Sequence, residues 1–568
     1  MEKRWKISPA NETLQKRLED ELNILPVTAE LLVKRGITEP ERAYAFLSPD
    51  LKDLYNPFLM KDMDKATERI LTALKEAEKI CVWGDYDVDG TTGTALFYSF
   101  FQELGVEITT YIPNRLKEGY GLNIEGIKRL HKEGVTLIIT VDCGISNHTE
   151  IEFARTLGMD CIVVDHHEVP PQIPPACAVL NPKQPDCGYP FKALAGVGVA
   201  FNLVIAIRAK LRERGWHGEL PNLKRYLDIV AIGTVADVVP LVDQNRILVS
   251  YGLKELASTK RLGLKSLMDV AGVGGLKPTA EHIAFQLAPR INASGRMDSA
   301  DTALRLLVTE NHREATELAR RLNTENSKRQ STEERILREA LSMITEPLTD
   351  KAIVLAREGW HAGVIGIVAS RIMERFTRPT ILLSIDGDRV KGSARGTAGC
   401  NIIDTLRRCE SYLEKYGGHR SAAGLTLKRE NLEAFRREFI GLMNSALSAE
   451  DLVPTVELDA RVTLDELKPR LVDEIEKLSP FGYMNERPLL CVMGANILHT
   501  ELVKDRHLRV MIKHNGTLQN GIAFDRANYH PIKDCLFDIA FYPYIDEWQG
   551  LRTVRLRIEE LKPSSQTS

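Results

Sequence analysis

The amino-acid sequence predicts an α/β protein built around a doubly wound parallel sheet, followed by a long helix, a smaller α/β lobe and a β-barrel. Two observations predict this class. Between about residues 65 and 240, short apolar runs alternate with helical runs, which is the pattern of parallel strands joined by crossover helices. After about residue 450 the pattern changes to short alternating runs separated by turn residues, which is typical of an antiparallel barrel.

Size and composition indicate the number of domains and the cellular compartment. The 568 residues exceed the ~250–300 at which a single core stops growing, so roughly three or four domains are expected. The formal net charge of −3 indicates no partner by itself, since an acidic site can mask a basic groove. None of the nine cysteines forms a C-x-x-C pair, which argues against a zinc ribbon and favours a reducing compartment.

The sequence shows no targeting signal. The first residues contain no apolar signal-peptide core, and no window of about 18 residues is apolar enough to span a membrane. A cytoplasmic protein without membrane contact is therefore expected.

Five segments are predicted along the chain. Residues 1–60 carry helical spacing and form a helical N-terminal segment, and residues 61–310 form the parallel-sheet lobe. Apolar positions fade in the middle of 311–345, so this helix is expected to bridge two lobes through solvent. Residues 346–450 form the smaller α/β lobe, and residues 451–568 form the barrel domain.

The parallel sheet is predicted to contain five strands. The apolar runs that predict them are residues 80–83, 106–112, 136–141, 161–164 and 177–180. The helical runs around them are residues 66–77, 92–104, 123–133 and 148–157. Such sheets bind ligands at the carboxyl ends of their strands, so the residues that follow the strands are the candidates for a functional site.

An acidic cluster follows the first of these strands. Asp85, Asp87 and Asp89 occupy alternating positions, which places their carboxylates on one side of an extended chain. Gly90 and Gly93 allow the backbone to bend closely before the next helix. Three carboxylates at such short distances repel one another. Mg²⁺ or Mn²⁺ is the usual cation that neutralises them. An isolated D-x-D pair can also be a turn that caps a helix.

The acidic pattern recurs further along the chain. Asp142 follows the third strand, and Asp165, His166 and His167 follow the fourth. Asp237 lies in a later apolar run, where a lone Asp can also be a hydrogen-bonded structural group. Since the carboxyl ends of parallel strands share one edge, these groups are expected to meet the first cluster. Asp and His ligands suit Mn²⁺, and the carboxylates suffice for two ions bridged by a shared Asp, which is the standard arrangement for phosphoester hydrolysis.

A second set of candidates lies in the smaller lobe. They are Arg371, Ser393, Arg395, Gly417, Gly418 and His419. Glycines before a helix expose backbone N–H groups that can meet a phosphate, and basic residues exceed acidic ones in this stretch. The stretch either contacts an anionic chain or is only a solvated face. Arg290, among small residues near the end of the first lobe, is expected to lie in a phosphate-contacting loop.

The C-terminal barrel is predicted from five runs. They are residues 489–499, 507–514, 517–524, 536–544 and 552–559. We interpret them as an OB-like fold. Basic groups at period two, including Arg509 and Arg555, would lie on strand faces, and aromatic groups are available for stacking on bases. These aromatic residues are Phe541, Tyr542, Tyr544 and Trp548. An ordinary barrel with a wet cationic face is the alternative.

The motifs GDYDVDG, VDCG, VDHH and TVADVVPL, in that order, resemble those of the DHH phosphoesterase superfamily. The length and C-terminal half are similar to those of its bacterial single-strand-specific 5′→3′ DNA exonucleases. The resemblance makes the first lobe a DHH lobe and the second a DHHA1 lobe. Family members that hydrolyse pyrophosphate carry a histidine where this chain has Trp83, which disfavours a pyrophosphatase.

The resemblance also implies roles for individual residues. It implies that the metal ligands, which are also catalytic, are Asp87, Asp89, Asp142, His166 and Asp237. The resemblance further implies that Asp85 is a metal ligand and that His167 faces the scissile phosphate. Ser393, Arg395 and the motif Gly417–His419 would hold substrate phosphate.

A metal-dependent exonuclease that degrades single-stranded DNA from the 5′ end, in DNA repair and recombination, is the function that the resemblance implies. The implied cofactor is Mn²⁺ or Mg²⁺, as two ions, and the implied partners of the monomer are single-stranded DNA, single-strand-binding protein and a helicase. A DHH phosphodiesterase acting on short oligonucleotides or cyclic dinucleotides is one alternative, although it would not need the barrel. The other is an inactive replication scaffold, against which the intact acidic motifs speak.

Overall fold

A computed structural model describes residues 3–9, 11–114, 118–297, 301–532 and 535–564, without the side chains of residues 294, 296 and 297. The strands are β1 Arg4–Ile7, β2 Lys79–Gly84, β3 Thr109–Tyr111, β4 Val135–Val141, β5 Asp160–Val164, β6 Ala178–Leu180, β7 Ile353–Glu358, β8 Thr380–Asp386, β9 Arg389–Arg395, β10 Lys415–Gly418, β11 Ala422–Lys428, β12 Thr455–Leu458, β13 Ala460–Arg461, β14 Leu490–Val503, β15 His507–His514, β16 Thr517–Ala523, β17 Leu536–Trp548 and β18 Leu551–Pro563.

The α-helices are α1 Glu12–Leu22, α2 Pro26–Lys34, α3 Pro40–Leu47, α4 Met63–Glu76, α5 Val88–Glu103, α6 Ile124–Lys132, α7 His148–Thr156, α8 Gly196–Glu213, α9 Leu227–Ala236, α10 Asp243–Ala257, α11 Leu262–Val270, α12 Ala280–His282, α13 Ala288–Met297, α14 Asp301–Val308, α15 His312–Ser342, α16 Ile365–Phe376, α17 Ile402–Arg408, α18 Leu432–Ala446 and α19 Pro469–Lys477. A π-helical turn, Ile283–Leu287, joins α12 to α13. Within the described residues, no helix has both the length and the apolar character needed to cross a membrane.

The chain forms two compact units. One contains residues 1–6 and 323–456, and the other contains residues 7–322 and 457–568. The division falls inside α15, within the segment predicted to bridge two lobes.

The larger unit contains the parallel sheet, whose strand order is β3-β2-β4-β5-β6. All four strand pairs are parallel, which confirms the predicted doubly wound sheet of five strands. Strand β2 is buried on both faces, because Ile80 and Val82 pack into one core while Cys81 and Trp83 pack into the other. Trp83 stacks on Tyr111 with ring centroids 4.1 Å apart. The carboxyl edge of this sheet is therefore carried by a rigid, fully packed scaffold.

The smaller unit is a mixed α/β lobe. Its sheet has the order β10-β11-β9-β8-β7, in which only β7 and β8 are parallel. Helices α17 and α18 pack against one face. Helix α16 and the end of α15 pack against the other.

The centre of helix α15 differs from the prediction. Asn326, Arg329 and Glu333 are buried rather than solvated. Arg329 donates to Asn326 Oδ1 (3.2 Å) and Glu333 Oε2 (2.7 Å), and Arg371 pairs with Glu333 at 3.0 Å. Side chains three and four residues apart lie on one helix face, so these polar groups satisfy one another. The prediction of a helix centre solvated on all sides was therefore wrong for this face, whereas Ser327, Lys328 and Gln330 are exposed as expected.

The C-terminal strands form a closed barrel in the order β14-β15-β16-β18-β17, because β17 pairs back with β14. This confirms the five predicted barrel strands. The N-terminal helices share the barrel's core, in which Leu18 and Leu31 pack with apolar residues of the barrel strands. The carboxylate of Glu474, in α19, accepts hydrogen bonds from Leu25 N (2.8 Å) and Thr28 Oγ1 (2.7 Å). The helical N-terminal segment therefore folds with the barrel.

Arg246, in α10, joins the parallel-sheet region to both of these segments. It is 2% exposed and donates to the carbonyl oxygens of Phe46 (2.8 Å), Lys477 (2.8 Å) and Leu478 (2.7 Å). Its guanidinium lies 3.9 Å from the centre of the Phe46 ring. Burial and the nearby charge of Arg35 lower the pKa of Arg246 to about 9.

Replacing Arg246 is expected to weaken this joint. Arg246→Met leaves several buried carbonyl groups without donors, so the free energy of unfolding should fall by about 2–4 kcal/mol. Arg42→Met, at an exposed position nearby, should change it by less than about 0.5 kcal/mol. Urea denaturation of both variants checks this, and equal midpoints would contradict the assigned role.

Candidate metal centre

Three acidic residues continue the parallel sheet beyond its strands. The backbone N–H groups of Asp85, Asp142 and Asp165 donate to carbonyl groups of neighbouring strands at 3.0 to 3.1 Å. Because this pairing extends the strand ladder by one residue, the three residues lie side by side at the carboxyl edge. Asp142 has a left-handed backbone with a φ of 61°, which Asp and Asn tolerate better than most residues.

Asp87 caps helix α5. Its Oδ1 accepts hydrogen bonds from the backbone N–H groups of Asp89 (2.9 Å) and Gly90 (3.1 Å). A Cβ atom at Gly90 would lie 2.5 Å from the Asp85 backbone, so the turn needs glycine. Asp87 thus caps a helix, as the alternative interpretation of the D-x-D pair expected. The same turn brings Asp85 and Asp89 to the edge of the sheet.

The start of helix α8 orients Asp89. Both carboxylate oxygens accept backbone hydrogen bonds, Oδ2 from Gly196 (2.6 Å) and Oδ1 from Val197 (2.8 Å). A Cβ atom at Gly196 would lie 2.8 Å from the Asp142 Cβ, so glycine allows α8 to approach both acids closely. Asp89 and Asp142 are almost fully buried.

His166 lies at the centre of the acidic groups. Its Nε2 is 3.1 Å from Asp142 Oδ1, 3.4 Å from Asp237 Oδ2 and 3.8 Å from Asp89 Oδ2. Within the described part of the chain, His166 Nε2, Asp142 Oδ1 and Asp85 Oδ1 are buried without a hydrogen-bond partner. Unsatisfied buried oxygen and nitrogen atoms that share one space are the ligand set that a divalent cation requires.

Potential ligand atoms form three overlapping groups, each within 4.8 Å. The groups are Asp89, His166 and Asp237; Asp85, Asp87 and Asp142; and Asp142, His166 and His167. The structure therefore brings together all seven residues predicted around the metal site. The groups overlap at Asp142 and at His166. Because a carboxylate has two oxygen atoms, the arrangement fits two ions that share Asp142.

Two further residues were not assigned a role from the sequence. Asp165 Oδ1 lies 2.8 Å from Nδ1 of His167, and the Asp165 carboxylate also accepts backbone hydrogen bonds from Ile145 (2.9 Å) and His166 (2.7 Å). The hydroxyl of Tyr120 donates to the carbonyl oxygen of Asp142 at 3.0 Å. The place of Asp165 at the end of the fourth strand was predicted and only its role was missed, whereas no sequence signal indicated Tyr120.

Burial and mutual repulsion dominate the electrostatics of the site. They raise the pKa of Asp85 to about 8, of Asp89 to about 7 and of Asp237 to about 9, and they also raise the pKa of Asp142. Burial and the charge of His167 lower the pKa of His166 to about 4, which keeps its Nε2 lone pair free for a cation. Burial opposes the charged form of His167 as well, but hydrogen bonding and charge attraction to Asp165 raise its pKa to about 9.

These pKa values predict a pH-dependent stability without divalent metal. Asp85, Asp89, Asp237 and His167 all have folded-state pKa values above their ordinary ones, so the folded chain binds more protons than the unfolded chain. Each group loses its contribution to stability as the pH rises from its ordinary pKa to its folded value, so the Tm in chelator should fall from about pH 4 to about pH 9. Thermal denaturation checks this. Asp237→Asn should flatten the dependence, and an unchanged slope in that variant would contradict the assignment.

A cleft of about 340 Å³ opens above the acidic groups. It is lined by Asp85, Tyr86, Asp87, Tyr120, Asp142, His167, Ala236, Asn292 and Gly295. The last two belong to helix α13, which approaches closely because a Cβ at Gly295 would lie 2.5 Å from the Tyr86 carbonyl oxygen. A short substrate can therefore reach both acidic and aromatic groups.

Arg290 lies in helix α13, so the predicted loop at this position was wrong. The small residues around it allow helix packing, and Ile291 and Ala293 are buried. Arg290 donates to the carbonyl oxygen of Gln286 at 2.6 Å and is not among the residues lining the cleft.

The second set of predicted residues lies in the smaller unit. Arg395 donates to the hydroxyls of Ser370 and Ser393, both at 3.0 Å, and to Ala394 O at 2.8 Å. Burial lowers the pKa of Arg395. Among the described residues, no carboxylate forms an ion pair with Arg395. The guanidinium group of Arg395 is therefore hydrogen-bonded to neutral groups and keeps a positive charge that can attract an anion.

The remaining predicted residues of this set differ in their environment. Ser393 lies opposite Gly424, which lies opposite Gly417, so the two motifs are neighbours across strands β9, β11 and β10. Gly418 and His419 are exposed beside them. Arg371 is paired with Glu333, which leaves its charge partly neutralised.

The barrel's predicted DNA-binding side chains are only partly available. Arg509 pairs with Glu501 at 2.6 Å, and Arg555 pairs with Asp546 at 2.5 Å. Phe541 is completely buried, so its prediction as a stacking group was wrong. Its side chain belongs to the barrel core, together with those of Ile539 and Ile558. The other three predicted aromatic groups are at least partly accessible.

Comparison with known proteins assigns the segments of the chain. Residues 79–234 match the DHH family, N-terminal domain, residues 330–445 match the DHHA1 domain, and residues 458–560 match the RecJ OB domain. The last match agrees with the five-stranded barrel.

Related proteins cover nearly the whole chain. The single-stranded-DNA-specific exonuclease RecJ of Bacillus subtilis (strain 168) is 39% identical over 98% of this chain and 70% of its own length. RecJ of Escherichia coli (strain K12) is 36% identical over 95% of this chain and 96% of its own length.

Two solved structures of a RecJ protein also match this chain. RecJ of Thermus thermophilus in complex with Mn²⁺ matches with a TM-score of 0.85 and 31% identity, covering 99% of this chain and 80% of that protein. Its complex with Mg²⁺ matches with a TM-score of 0.79 and 29% identity, covering 99% and 79%. The chain belongs to the RecJ family of single-stranded-DNA-specific exonucleases.

Proposed function

We propose that the protein is a metal-dependent exonuclease that hydrolyses single-stranded DNA from the 5′ end. The observation that carries the proposal is the convergence of three buried or half-buried carboxylates, those of Asp89, Asp142 and Asp237, on His166 Nε2, which is itself buried without a hydrogen-bond partner. The relatives act on single-stranded DNA, and two neighbouring structures hold Mn²⁺ or Mg²⁺.

Six residues form the proposed metal site for two Mn²⁺ or Mg²⁺ ions. They are Asp85, Asp87, Asp89, Asp142, His166 and Asp237. When bound, the ions supply the positive charge that neutralises these carboxylates and a Lewis acid that activates water. Asp142 and His166 each belong to two of the three groups of ligand atoms, and Asp142 is the proposed shared ligand because only a carboxylate has two oxygen atoms that can bind two ions.

The chain's own residues prepare this site before substrate binds. Backbone N–H groups hold Asp87 and Asp89 in fixed orientations, so little reorganisation is needed. Asp165 fixes the ring of His167 and keeps it protonated near neutral pH. His167 lines the cleft, where its protonated imidazole ring would donate a hydrogen bond to a phosphate oxygen.

The smaller unit is proposed to bind substrate phosphate. Arg395 carries the charge, and Ser393 and the backbone of Gly417 and Gly418 offer uncharged contacts. His419, Arg371 and Arg290 are further candidates, although the ion pair of Arg371 reduces its attraction for an anion.

We assign domain roles on this basis. Residues 1–60 are the helical N-terminal segment, residues 61–310 the DHH catalytic lobe, and residues 311–345 the bridging helix. Residues 346–450 are the DHHA1 substrate-binding lobe, and residues 451–568 the OB-like nucleic-acid-binding domain.

The cellular setting follows from the same proposal. The enzyme acts as a cytoplasmic monomer in DNA repair and recombination, with single-strand-binding protein and a helicase as partners. All nine cysteines are unpaired thiols, which suits a reducing compartment.

Product analysis tests the proposed direction and substrate. With Mn²⁺, a 5′-labelled single strand should release a short labelled product at once, whereas a 3′-labelled strand should shorten progressively. Blunt duplex and cyclic dinucleotides should be poor substrates. The reverse labelling pattern would overturn the direction, and preferred cleavage of cyclic dinucleotides would overturn the substrate.

A further inference from the structure

A cavity of about 460 Å³ lies where three parts of the larger unit meet. Its walls come from residues 35–49 of the N-terminal segment, from residues 242–247 at the start of α10, and from Met484 and Asn485 before the barrel. Cavities of roughly 300–1,000 Å³ at such junctions are common sites for small ligands. The cavity shares no lining residue with the metal cleft, so a ligand in it would be separate from the substrate.

Two guanidinium groups line this cavity without a carboxylate partner. Arg35 donates to Asn485 Oδ1 at 3.1 Å and to two backbone carbonyl groups, and Arg246 donates to backbone carbonyl groups alone. Neither forms an ion pair within the part of the chain that the structure describes. Their charges repel, since the charge of Arg35 helps to lower the pKa of Arg246. Like charges held in one partly buried place favour an anion that neutralises them.

Arg35 also retains hydrogen-bond donors for such an anion. A guanidinium carries about five N–H groups, and Arg35 uses its Nε, one Nη1 and one Nη2 donor within the protein. Arg42 lines the same cavity and is exposed. Guanidinium groups with unused N–H donors match the oxygen atoms of a phosphate better than any other common anion except a carboxylate.

The cavity contains acceptor and apolar groups as well. The carboxylates of Asp53 and Asp243 line it, and Asp243 accepts hydrogen bonds from the Tyr55 hydroxyl (3.2 Å) and Gln244 Nε2 (3.3 Å). A carboxylate has about four acceptor positions, so both acids can also accept from amine or hydroxyl groups of a ligand. The larger apolar side chains are Ile37, Phe46, Phe191 and Ile247. A ligand that suits all three kinds of group carries an anion, a flat apolar ring and N–H or O–H donors.

We propose that this cavity binds a nucleoside monophosphate, with its phosphate on Arg35 and Arg42 and its base and sugar against the apolar and carboxylate groups. The three arginines of the cavity exceed its two aspartates by one charge, which suits a single phosphate better than a triphosphate. The inference goes beyond the proposed function and does not depend on it. Because the ligand would contact all three walls, it would also stabilise the joint around Arg246.

Binding of deoxyadenosine monophosphate to the full chain in chelator tests the proposal. Titration calorimetry should show binding, and the Tm should rise with the nucleotide concentration. Deoxyadenosine and inorganic phosphate should each bind at least about tenfold more weakly, because each lacks part of the contacts. Equal affinity for deoxyadenosine would overturn the role of the arginines, and equal affinity for phosphate would overturn the nucleotide as ligand.

Two tryptophan variants of helix α3 locate the bound nucleotide. Ala45 is exposed and lines the cavity, so Ala45→Trp should fill the space and weaken nucleotide binding at least about tenfold. Tyr44→Trp is the matched control, because Tyr44 is 65% exposed and does not line the cavity, and it should bind like the wild type. Undiminished binding in Ala45→Trp, or no binding by the wild type, would overturn the proposal.

A charge variant keeps the test valid if Ala45→Trp does not fold. Arg42→Ala should weaken binding of the nucleotide about tenfold and leave binding of deoxyadenosine unchanged, because only the phosphate contact is removed. Equal losses for both ligands, or no loss for the nucleotide, would contradict the assignment. A wild type that binds the nucleotide but hydrolyses no single strand with Mn²⁺ would refute the proposed function and leave this site intact.

Discussion

Asp142→Asn is expected to reduce hydrolysis of single-stranded DNA by roughly three orders of magnitude or more. Asp142 Oδ1 is buried, unsatisfied and 3.1 Å from His166 Nε2, so it is the carboxylate best placed to bridge two ions. Losing its charge removes several kcal/mol of transition-state stabilisation, and about 1.4 kcal/mol corresponds to tenfold in rate. Asn tolerates the left-handed backbone at this position, so the fold should persist.

Thermal stability separates this effect from misfolding. Because one member of a mutually repelling cluster becomes neutral, the Tm of Asp142→Asn in chelator should equal or exceed that of the wild type. The rate is measured on a short oligonucleotide with saturating Mn²⁺. Near-normal turnover in this variant would mean that the proposed ligand set is wrong.

Arg395→Ala is expected to weaken substrate capture about 10- to 150-fold. A charge-assisted hydrogen bond contributes about 1.5–3 kcal/mol, and the guanidinium charge of Arg395 is compensated only by hydroxyl and carbonyl groups. The effect should fall on kcat/KM for a short oligonucleotide, while Mn²⁺ affinity stays unchanged because Ser370, Ser393 and Ala394, which accept the hydrogen bonds of Arg395, are not proposed metal ligands.

Arg389→Ala provides the matched control for Arg395. It lies at the other end of strand β9, is 72% exposed and already pairs with Glu414. Exposed ion pairs contribute about 0–1 kcal/mol, so kcat/KM should hardly change. Identical kinetics for the two variants would remove Arg395 from the substrate site.

Deleting the barrel would be a poor test of DNA binding. The N-terminal helices and the barrel share one core, so deletion would expose residues such as Leu18 and Leu31 to water. Loss of binding could then reflect unfolding of the helices.

The parallel sheet and its acidic edge could be predicted from the sequence because both depend on local patterns. Each apolar run becomes a buried strand, and an Asp directly after the run is placed at the edge of the sheet by the strand direction. Asp85 and Asp142 illustrate this, since their backbone N–H groups extend the sheet by one residue. The location of the metal site therefore followed from strand ends alone.

Other features depend on contacts between distant residues. The hydrogen bond from Leu25 N to Glu474 joins positions 449 residues apart, and no local pattern indicates it. Arg329 and Glu333 looked solvated because their sequence is polar, yet they are buried as mutual partners. The ion pair between Arg509 and Glu501 likewise becomes visible only when strands β14 and β15 are paired.

Linear and covalently closed circular single strands of the same sequence distinguish hydrolysis from a free end from internal cleavage. With Mn²⁺ the wild type should degrade the linear strand to short products and leave the circle intact, and chelator should abolish degradation of the linear strand. This result is expected of an exonuclease whose acidic site needs a divalent ion and a free end. Cleavage of the circle at a comparable rate, or undiminished degradation in chelator, would contradict the account.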